Sequence, residues 1–499
     1  MRFDLDNYSP VPVAYELRYV ILKKLLDGED PLPDIEGREE TKNDVIRAVL
    51  SGGYPYLVSR EGTGKTRLAE SLANLLPPVP RIKGCPYNCD PKWPKDWLCP
   101  SCRELEGYEI EFISGKQRYS RIQGNEYTNE AKILGVKDLQ AIIKGDSPTD
   151  PRAFVGTGVL RGNRGIVTVD ELPAIPTKVQ VLFHPMLQEH KIILEEYNWV
   201  RPIDIFFIAT GNPSGFSHVN RVPEPLLDRL ELIPMGLPTE EVERSIMFKE
   251  GFRPIDDFFG TQGQTPRMDP LNVKTSDLKR TTAVPWWTVE IVEKTSRYTR
   301  ECPNIERGSS IRGSIKSLDH VYSSTEMRGG KVSNLKDAAD ALKLGLRGRI
   351  RLRADLMGLE DEPSDFINKN DEVVEDVIWY AVRDVGKTML EAAGDDLDLE
   401  KIIHEIKTLN NSDTLPLTLE SYPMLNQVVD SIRSANRWKK PTLVNGLNEV
   451  LRDTPEAATV AERFEYWFSA LEVIVNTISS EALIEAKTME KFYTPKRLA

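Results

Sequence analysis

No stretch of the 499 residues is apolar for long enough to cross a bilayer. The start, MRFDLDNYSP, is polar and acidic and lacks the basic-then-apolar order of a secretory leader. No membrane insertion is expected, and the cytoplasm is the default compartment. There is no surplus of positive charge either: 65 Lys and Arg face 77 Asp and Glu, a formal net charge of −12. A chain with that balance does not coat nucleic acid through its global field, so nucleic acid is not an expected partner unless an oligomer builds a local basic channel. Cysteines are few. There are five, and four of them fall between positions 85 and 102, which argues for a metal site and against a disulfide framework in a chain of this length. Repeats and low-complexity segments are absent, so nothing argues for an array or a biased tail.

What is present is ordinary globular composition, 40% hydrophobic and 28% charged, in a chain too long for one core. Two or three domains are expected. VAYELRYVILKKLL carries apolar residues at helical spacing and reads as an N-terminal helical arm within residues 1–32. TKNDVIRAVLSGG reads as a helix closed by glycines. YPYLV (54–58) reads as a short strand, and Leu68, Leu72, Leu75 and Leu76 mark one face of a helix stopped by Pro77 and Pro78. GIVTVDE (165–171) and IFFIATGN (205–212) read as buried strands with polar ends, VQVLFHPMLQEH as a helix, and KIILEEYNWVRPID as a hairpin. Strands alternating with helices imply a mostly parallel α/β sheet. Beyond Pro238 the pattern turns helical, interrupted by a Gly-, Pro- and Asp-rich loop at 255–280. Near the C-terminus, Phe464, Trp467, Phe468, Leu471, Ile474 and Ile478 form an apolar stripe that reads as core.

Between the strand YPYLV and its helix lies SREGTGKTRLAE, residues 59–70. This nearly matches the phosphate-binding loop G-x-x-x-x-G-K-[ST], with Ser59 in place of the first glycine. Glu61, Gly62, Thr63 and Gly64 can form the turn whose N–H groups cradle phosphate, leading through Lys65 and Thr66 to Arg67 in the helix. Lys65 would reach the β- and γ-phosphates, and the Thr66 hydroxyl would ligate Mg²⁺. Asp170 and Glu171 close an apolar strand. Adjacent acids there suit a split role, Asp170 in the Mg²⁺ shell and Glu171 polarising the attacking water, the plainer alternative being a solvated strand end. Asn212 can orient water beside a γ-phosphate, although TGNPSG is also an ordinary turn sequence. A serine at position 59 costs about 1 kcal/mol or more if that residue needs a positive φ, and almost nothing otherwise.

The ordered set of P-loop, V-D-E, A-T-x-N-P and L-L-D-R resembles the AAA+ ATPases, and more narrowly their magnesium-chelatase I-subunit and MoxR-like branch. The matching text is IEGREETKNDVIRAVL, GIVTVDELPAIPTKVQVLFHPMLQEHKI, ATGNPSG and EPLLDRLELI, within roughly residues 33–355. The fold class implied is α/β, an AAA+ P-loop NTPase domain with a parallel sheet, then an α-helical lid and a further α-helical C-terminal region. The expected boundaries are an arm over 1–32, the nucleotide-binding domain over 33–237 with an insertion at 82–105, the lid over 238–364 and a C-terminal domain over 365–499. The resemblance implies that Arg229 is an arginine finger reaching the ATP of a neighbouring subunit, its plainer alternative being a salt bridge to Asp228 or Glu231. It implies that Arg312 is the sensor-2 arginine, contacting the γ-phosphate in cis, the alternative being a surface charge. The hairpin around Lys191 resembles an insert that can face the central pore in ring assemblies.

Cys85, Cys89, Cys99 and Cys102 read as C-x3-C…C-x2-C, two knuckles able to enclose a structural Zn²⁺. Free buried thiols, a redox pair and an iron–sulfur cluster are the alternatives, the last matching no common spacing. Cys302 is left over. The expected activity is ATP hydrolysis with ATP and Mg²⁺ in a homo-oligomeric ring, expected to be a hexamer, that remodels a protein partner. By resemblance the partner carries a von Willebrand A domain and the task is metal or cofactor insertion. This sequence holds no D-x-S-x-S motif, so such a domain would sit on another polypeptide. A nucleic-acid-dependent motor and a non-hydrolysing nucleotide-binding scaffold are the other two readings.

Overall fold

The computed structural model describes residues 5, 7–59, 62–212, 220–250, 282–356, 363–394, 398–411, 421–434, 447, 450–451 and 454–481. It divides into two compact units, residues 1–238 and 239–499.

The first unit is built on five parallel strands. In chain order these are β1 (Tyr54–Val58), β2 (Tyr119–Gln123), β3 (Gly165–Asp170), β4 (Ile205–Gly211) and β5 (Leu230–Pro234). Across the sheet they run β5-β1-β4-β3-β2, every neighbouring pair parallel. β3 and β4 are buried at every position, as expected of central strands covered on both faces. Alternate side chains face opposite layers. Leu57, Ile166, Phe206, Ile208 and Ile233 share one core with α1 (Val13–Leu26), α2 (Glu39–Ser51) and α3 (Lys65–Leu75). Tyr56, Val167, Val169, Phe207 and Ala209 share the other with Phe183, Leu187, the four clustered cysteines and the hairpin residues Leu194 and Trp199. The result is the expected α/β fold with a parallel sheet. α2 ends as its glycines imply, with Gly52 left-handed at φ 79°.

Three two-stranded hairpins decorate this sheet. Val79–Ile82 pairs with Ile110–Ile113, Gly135–Lys137 with Phe154–Gly156, and Lys191–Leu194 with Trp199–Pro202. The helix expected over VQVLFHPMLQEH is broken into Thr177–Gln180 and Phe183–Gln188. Pro185 has no N–H to give the Val181 carbonyl, and His184 N–H takes that carbonyl instead at 3.1 Å in a tighter turn.

α1 is docked through polar contacts. Glu16 meets the fully buried Arg118 at 2.7 Å, as an ion pair off the hydrogen-bond axis. Both oxygens of Asp204 lie 3.1 Å from Val13 N–H at the first turn of α1. Tyr8 donates to Asp90 at 2.6 Å, and Asp90 pairs with Arg164 at 2.5 Å. Burial raises the Asp204 carboxyl to about 6, and burial also lifts Glu16 above its ordinary value.

The second unit is helical. Helices Trp286–Tyr298, Ile311–Met327 and Leu335–Leu346 share one core with Pro363–Ala393, Leu399–Asn411, Pro423–Ser434 and Val460–Glu481. Trp287 Nε1 donates to Ser469 Oγ at 3.0 Å, and the buried Glu472 accepts from Leu335 N–H at 2.9 Å. Trp467, Leu471, Ile474 and Ile478 are buried in this core, with Phe464 and Phe468 packed against it. The loop expected at 255–280 lies outside the described residues. No described helix is long and apolar enough to cross a membrane.

Candidate nucleotide site and cysteine cluster

The parallel sheet brings three strand ends into one row. Val58 is level with Gly211, Ala209 with Val169, and Gln123 with Asp170. At about 4.8 Å between strands, the residues that follow them stand within one phosphate chain's reach. The row lies at the C-terminal edge beside β1, where the strand order reverses and open α/β sheets bind ligands.

The loop after β1 turns on Gly62 at φ 74° and Gly64 at φ 91°. Gly64 caps α3 and has no side chain of its own to bond the N–H groups of its first turn. Such a terminus favours anions. Ser59 is buried and is not among the residues of positive φ. Its hydroxyl meets that of Thr63 at 2.5 Å, and its N–H donates to Gly211 O at 3.2 Å. Arg38 Nη1 donates to Thr63 O from α2's N-cap position. Lys65 Nζ donates to Ser59 O at 2.7 Å, Asn212 Oδ1 at 3.1 Å and Gly211 O at 3.3 Å. Thr66 Oγ1 donates to Asp170 Oδ2 at 3.3 Å, and Thr210 Oγ1 to Asp170 Oδ1 at 3.2 Å.

Lys65 is thus hydrogen-bonded to Asn212 and the next residue, Thr66, to Asp170, two pairs side by side at the start of α3. Glu171 follows in the left-handed conformation, φ 56°, its N–H donating to Thr210 Oγ1 at 3.0 Å. A non-glycine residue held there costs about 1–3 kcal/mol and turns its side chain out of strand register. The donor set fits a magnesium nucleotide: a lysine and the amides of a helix N-terminus for phosphate, a hydroxyl and a carboxylate for the metal. Arg67 is exposed on the first turn of α3, and Glu61 lies outside the described residues.

Two neighbours of this set carry no motif. Arg121 Nε donates to Asp170 Oδ2 at 2.5 Å, placing a cation on the oxygen that also accepts from Thr66. Gln123 Nε2 donates to Glu171 Oε2 at 3.4 Å. Both lie on β2, and the next residue is a glycine for a steric reason. A Cβ on Gly124 would stand 2.4 Å from Glu171 O and 2.7 Å from Asp170 O.

Arg229 is elsewhere. It precedes β5, whose first residue is level with Tyr54 at the start of β1. The length of β1, roughly 13 Å at about 3.3 Å per residue, separates that edge from the loop. Its guanidinium donates to Pro225 O and Gln188 Oε1, and neither Asp228 nor Glu231 pairs with it. Arg312 is exposed at the second position of helix Ile311–Met327, in the other unit.

The four clustered cysteines are buried, and their sulfurs all lie within 4.8 Å of one another. Cys85 and Cys99 Sγ are 3.9 Å apart, close to the ~3.8 Å implied by tetrahedral bonds of about 2.3 Å. The Cys85 thiol is drawn far below its ordinary range, chiefly by its hydrogen bond with Cys102 and then by those with Cys89 and Cys99. Arg201 Nη2 donates to Cys89 Sγ at 3.3 Å.

No family model matches the chain. Among curated proteins it is 28% identical over 193 residues to the magnesium-chelatase 67 kDa subunit of Heliobacterium mobile, across 37% of this chain and 28% of that one. It is 27% identical over 209 residues to the magnesium-chelatase subunit ChlI homolog of Methanocaldococcus jannaschii, across 41% and 53%. Over 212 residues it is 28% identical to the magnesium-chelatase 38 kDa subunit of Acidiphilium rubrum, across 41% and 59%. Its homologues are magnesium-chelatase subunits, which are AAA+ ATPases. The matches span between 28% and 59% of these relatives' lengths. Among solved structures, this chelatase-like chain is 18% identical to a chain in the complex between subunits BchI and BchD of magnesium chelatase. That likeness has a TM-score of 0.31 and covers 69% of this chain and 98% of that one, and it decides nothing further.

Proposed function

We propose that the chain hydrolyses ATP in a ring of its own copies and couples hydrolysis to remodelling a protein partner. The observation that carries this reading is the two neighbouring hydrogen-bonded pairs, Lys65 with Asn212 and Thr66 with Asp170, with Glu171 beside them, at adjacent ends of parallel strands. In this reading Gly62, Thr63, Gly64 and Arg67 belong to the phosphate cradle with Glu61, and Lys65 grips the β- and γ-phosphates. Thr66 and Asp170 hold Mg²⁺, Glu171 polarises the attacking water and Asn212 orients it. Arg229 serves a neighbouring copy's nucleotide, and its place at the opposite sheet edge supports that role. Arg312 acts as the cis sensor. The ring is a hexamer in the cytoplasm, and the partner carries a von Willebrand A domain, the match to chelatase subunits being the support. The four cysteines hold a structural Zn²⁺ with no open position for hydrolytic chemistry. The arm, nucleotide-binding, lid and C-terminal regions keep the boundaries 1–32, 33–237, 238–364 and 365–499.

The test is ATP turnover beside binding of a fluorescent ATP analogue. Glu171→Gln is expected to bind the analogue within about threefold of the parent while turnover falls by about 10² or more. Equal turnover in the two proteins overturns the motor.

A further inference from the structure

Arg201 sits in strand Trp199–Pro202, opposite Ile192, and is 1% exposed. Among the described residues no carboxylate pairs with it. Its polar partner is Cys89 Sγ, its Cζ lies 5.5 Å from the Tyr87 ring centre, and its Nε and Nη1 have no hydrogen-bond partner. A guanidinium does not give up its proton in proteins, and an uncompensated buried charge is strongly destabilising. The missing negative charge has to come from the sulfur cluster that Arg201 touches. Four neutral thiols supply none. Four thiolates around a divalent ion leave two negative charges on sulfurs one hydrogen bond away.

The Cys85–Cys89 turn also reaches the other long insertion. Tyr87 OH accepts from Gly156 N–H at 2.8 Å, at the end of the hairpin Gly135–Lys137 with Phe154–Gly156. Asn163 Nδ2 donates to Tyr87 O at 2.8 Å, just before β3. The two hairpins touch through Phe154, whose ring lies 5.0 Å from Tyr197 and 6.2 Å from Trp199. One five-residue turn therefore carries two metal-ligand candidates, the acceptor for one hairpin and the contact to the buried cation of the other.

We infer that Arg201 is the charge partner of a tetrathiolate centre for a thiophilic divalent cation at Cys85, Cys89, Cys99 and Cys102, and that this centre anchors both hairpins to the sheet. The inference rests on the metal part of the proposed function. Arg201 is a positioning residue here. It neutralises the ligands and ties metal occupancy to the strand it belongs to, as outer-sphere partners of metal ligands do.

The test uses the full chain and Zn²⁺. Metal content is measured after purification and after reconstitution, zinc retention by chelator competition, and backbone hydrogen exchange with and without chelator. One zinc per chain is expected. Arg201→Met is expected to weaken retention about 10- to 100-fold, and Arg201→Lys, which keeps the charge, to recover most of it. In the parent chain, zinc removal is expected to speed exchange in 135–137, 154–156 and 191–202 by about tenfold while β1 and β4 stay protected. This arm needs no variant, so a misfolded Arg201→Met leaves the inference testable. Unchanged retention in a folded Arg201→Met, or hairpins indifferent to zinc removal, overturns the inference and leaves the metal reading standing. A chain that holds no zinc even after reconstitution overturns the metal reading and the inference together.

Discussion

Ser59 occupies the position where a glycine is usual, and its backbone removes the difficulty. Its φ is not positive, so a side chain costs little there, and its hydroxyl holds Thr63 inside the loop. Ser59→Gly gives up that bond and frees the backbone. ATP turnover is expected to change by less than about tenfold, or ~1.4 kcal/mol of barrier. A larger gain in a steady-state assay would show that serine impairs the loop. Asp204 gives a pH dependence with a definite sign. Its folded pKa of about 6 exceeds the ~3.9 of an unfolded aspartate. The folded state therefore binds more protons between pH 4 and 6, and its contribution, complete below pH ~4, is lost as pH rises through ~6. By pH 8 the cost approaches roughly 3 kcal/mol, and about half of that is present at pH 5. Asp204→Asn removes the titration. Its stability relative to the parent is expected to improve by roughly 1.5 kcal/mol from pH 5 to pH 8, read from urea midpoints at the two pH values.

At the scale of elements, legibility followed burial. β3 and β4 are continuous apolar runs because both faces are covered, and the loop and acids at their ends could be read from order alone. β2 was not legible. In YSRIQ only Ile122 is buried, since an edge strand meets the core on one side, and five residues give too short a pattern to separate strand from loop. Arg121 and Gln123 were hidden with it. Arg201 left no trace either, because its partner Cys89 is 112 positions away. α1 was plain from its spacing, but its anchor was not, since Glu16 and Arg118 are paired only by the fold. That anchor carries a prediction. Glu16→Ala leaves the fully buried Arg118 without its counter-charge and is expected to destabilise the first unit by about 3–5 kcal/mol. Glu16→Gln, which keeps an acceptor, is expected to cost less. Hydrogen exchange in β3 and β4 separates the two.

At the scale of the whole chain, helices on both sides of residue 364 contribute to one core in the second unit. No sequence motif announced that sharing, because apolar stripes say that a face is buried without saying against what. In the first unit Arg229 and the nucleotide loop stand at opposite ends of the paired strands β5 and β1. If the arginine acts across a subunit boundary, Arg229→Ala and Glu171→Gln are each expected to be nearly inactive alone. Mixed rings would then contain interfaces joining an intact glutamate to an intact arginine. Partial recovery of turnover on mixing supports action in trans, and no recovery at any ratio counts against it.

On the proposed roles, the separation of Arg229 from the loop also sets how the protein would answer to its own abundance. If Glu171 activates the water and Arg229 serves the neighbouring copy, a chain with the two on opposite edges is half an enzyme. Its turnover per molecule should rise steeply through the assembly threshold and vanish on dilution, so that a cell could silence it by lowering its copy number, without touching a single residue of the site.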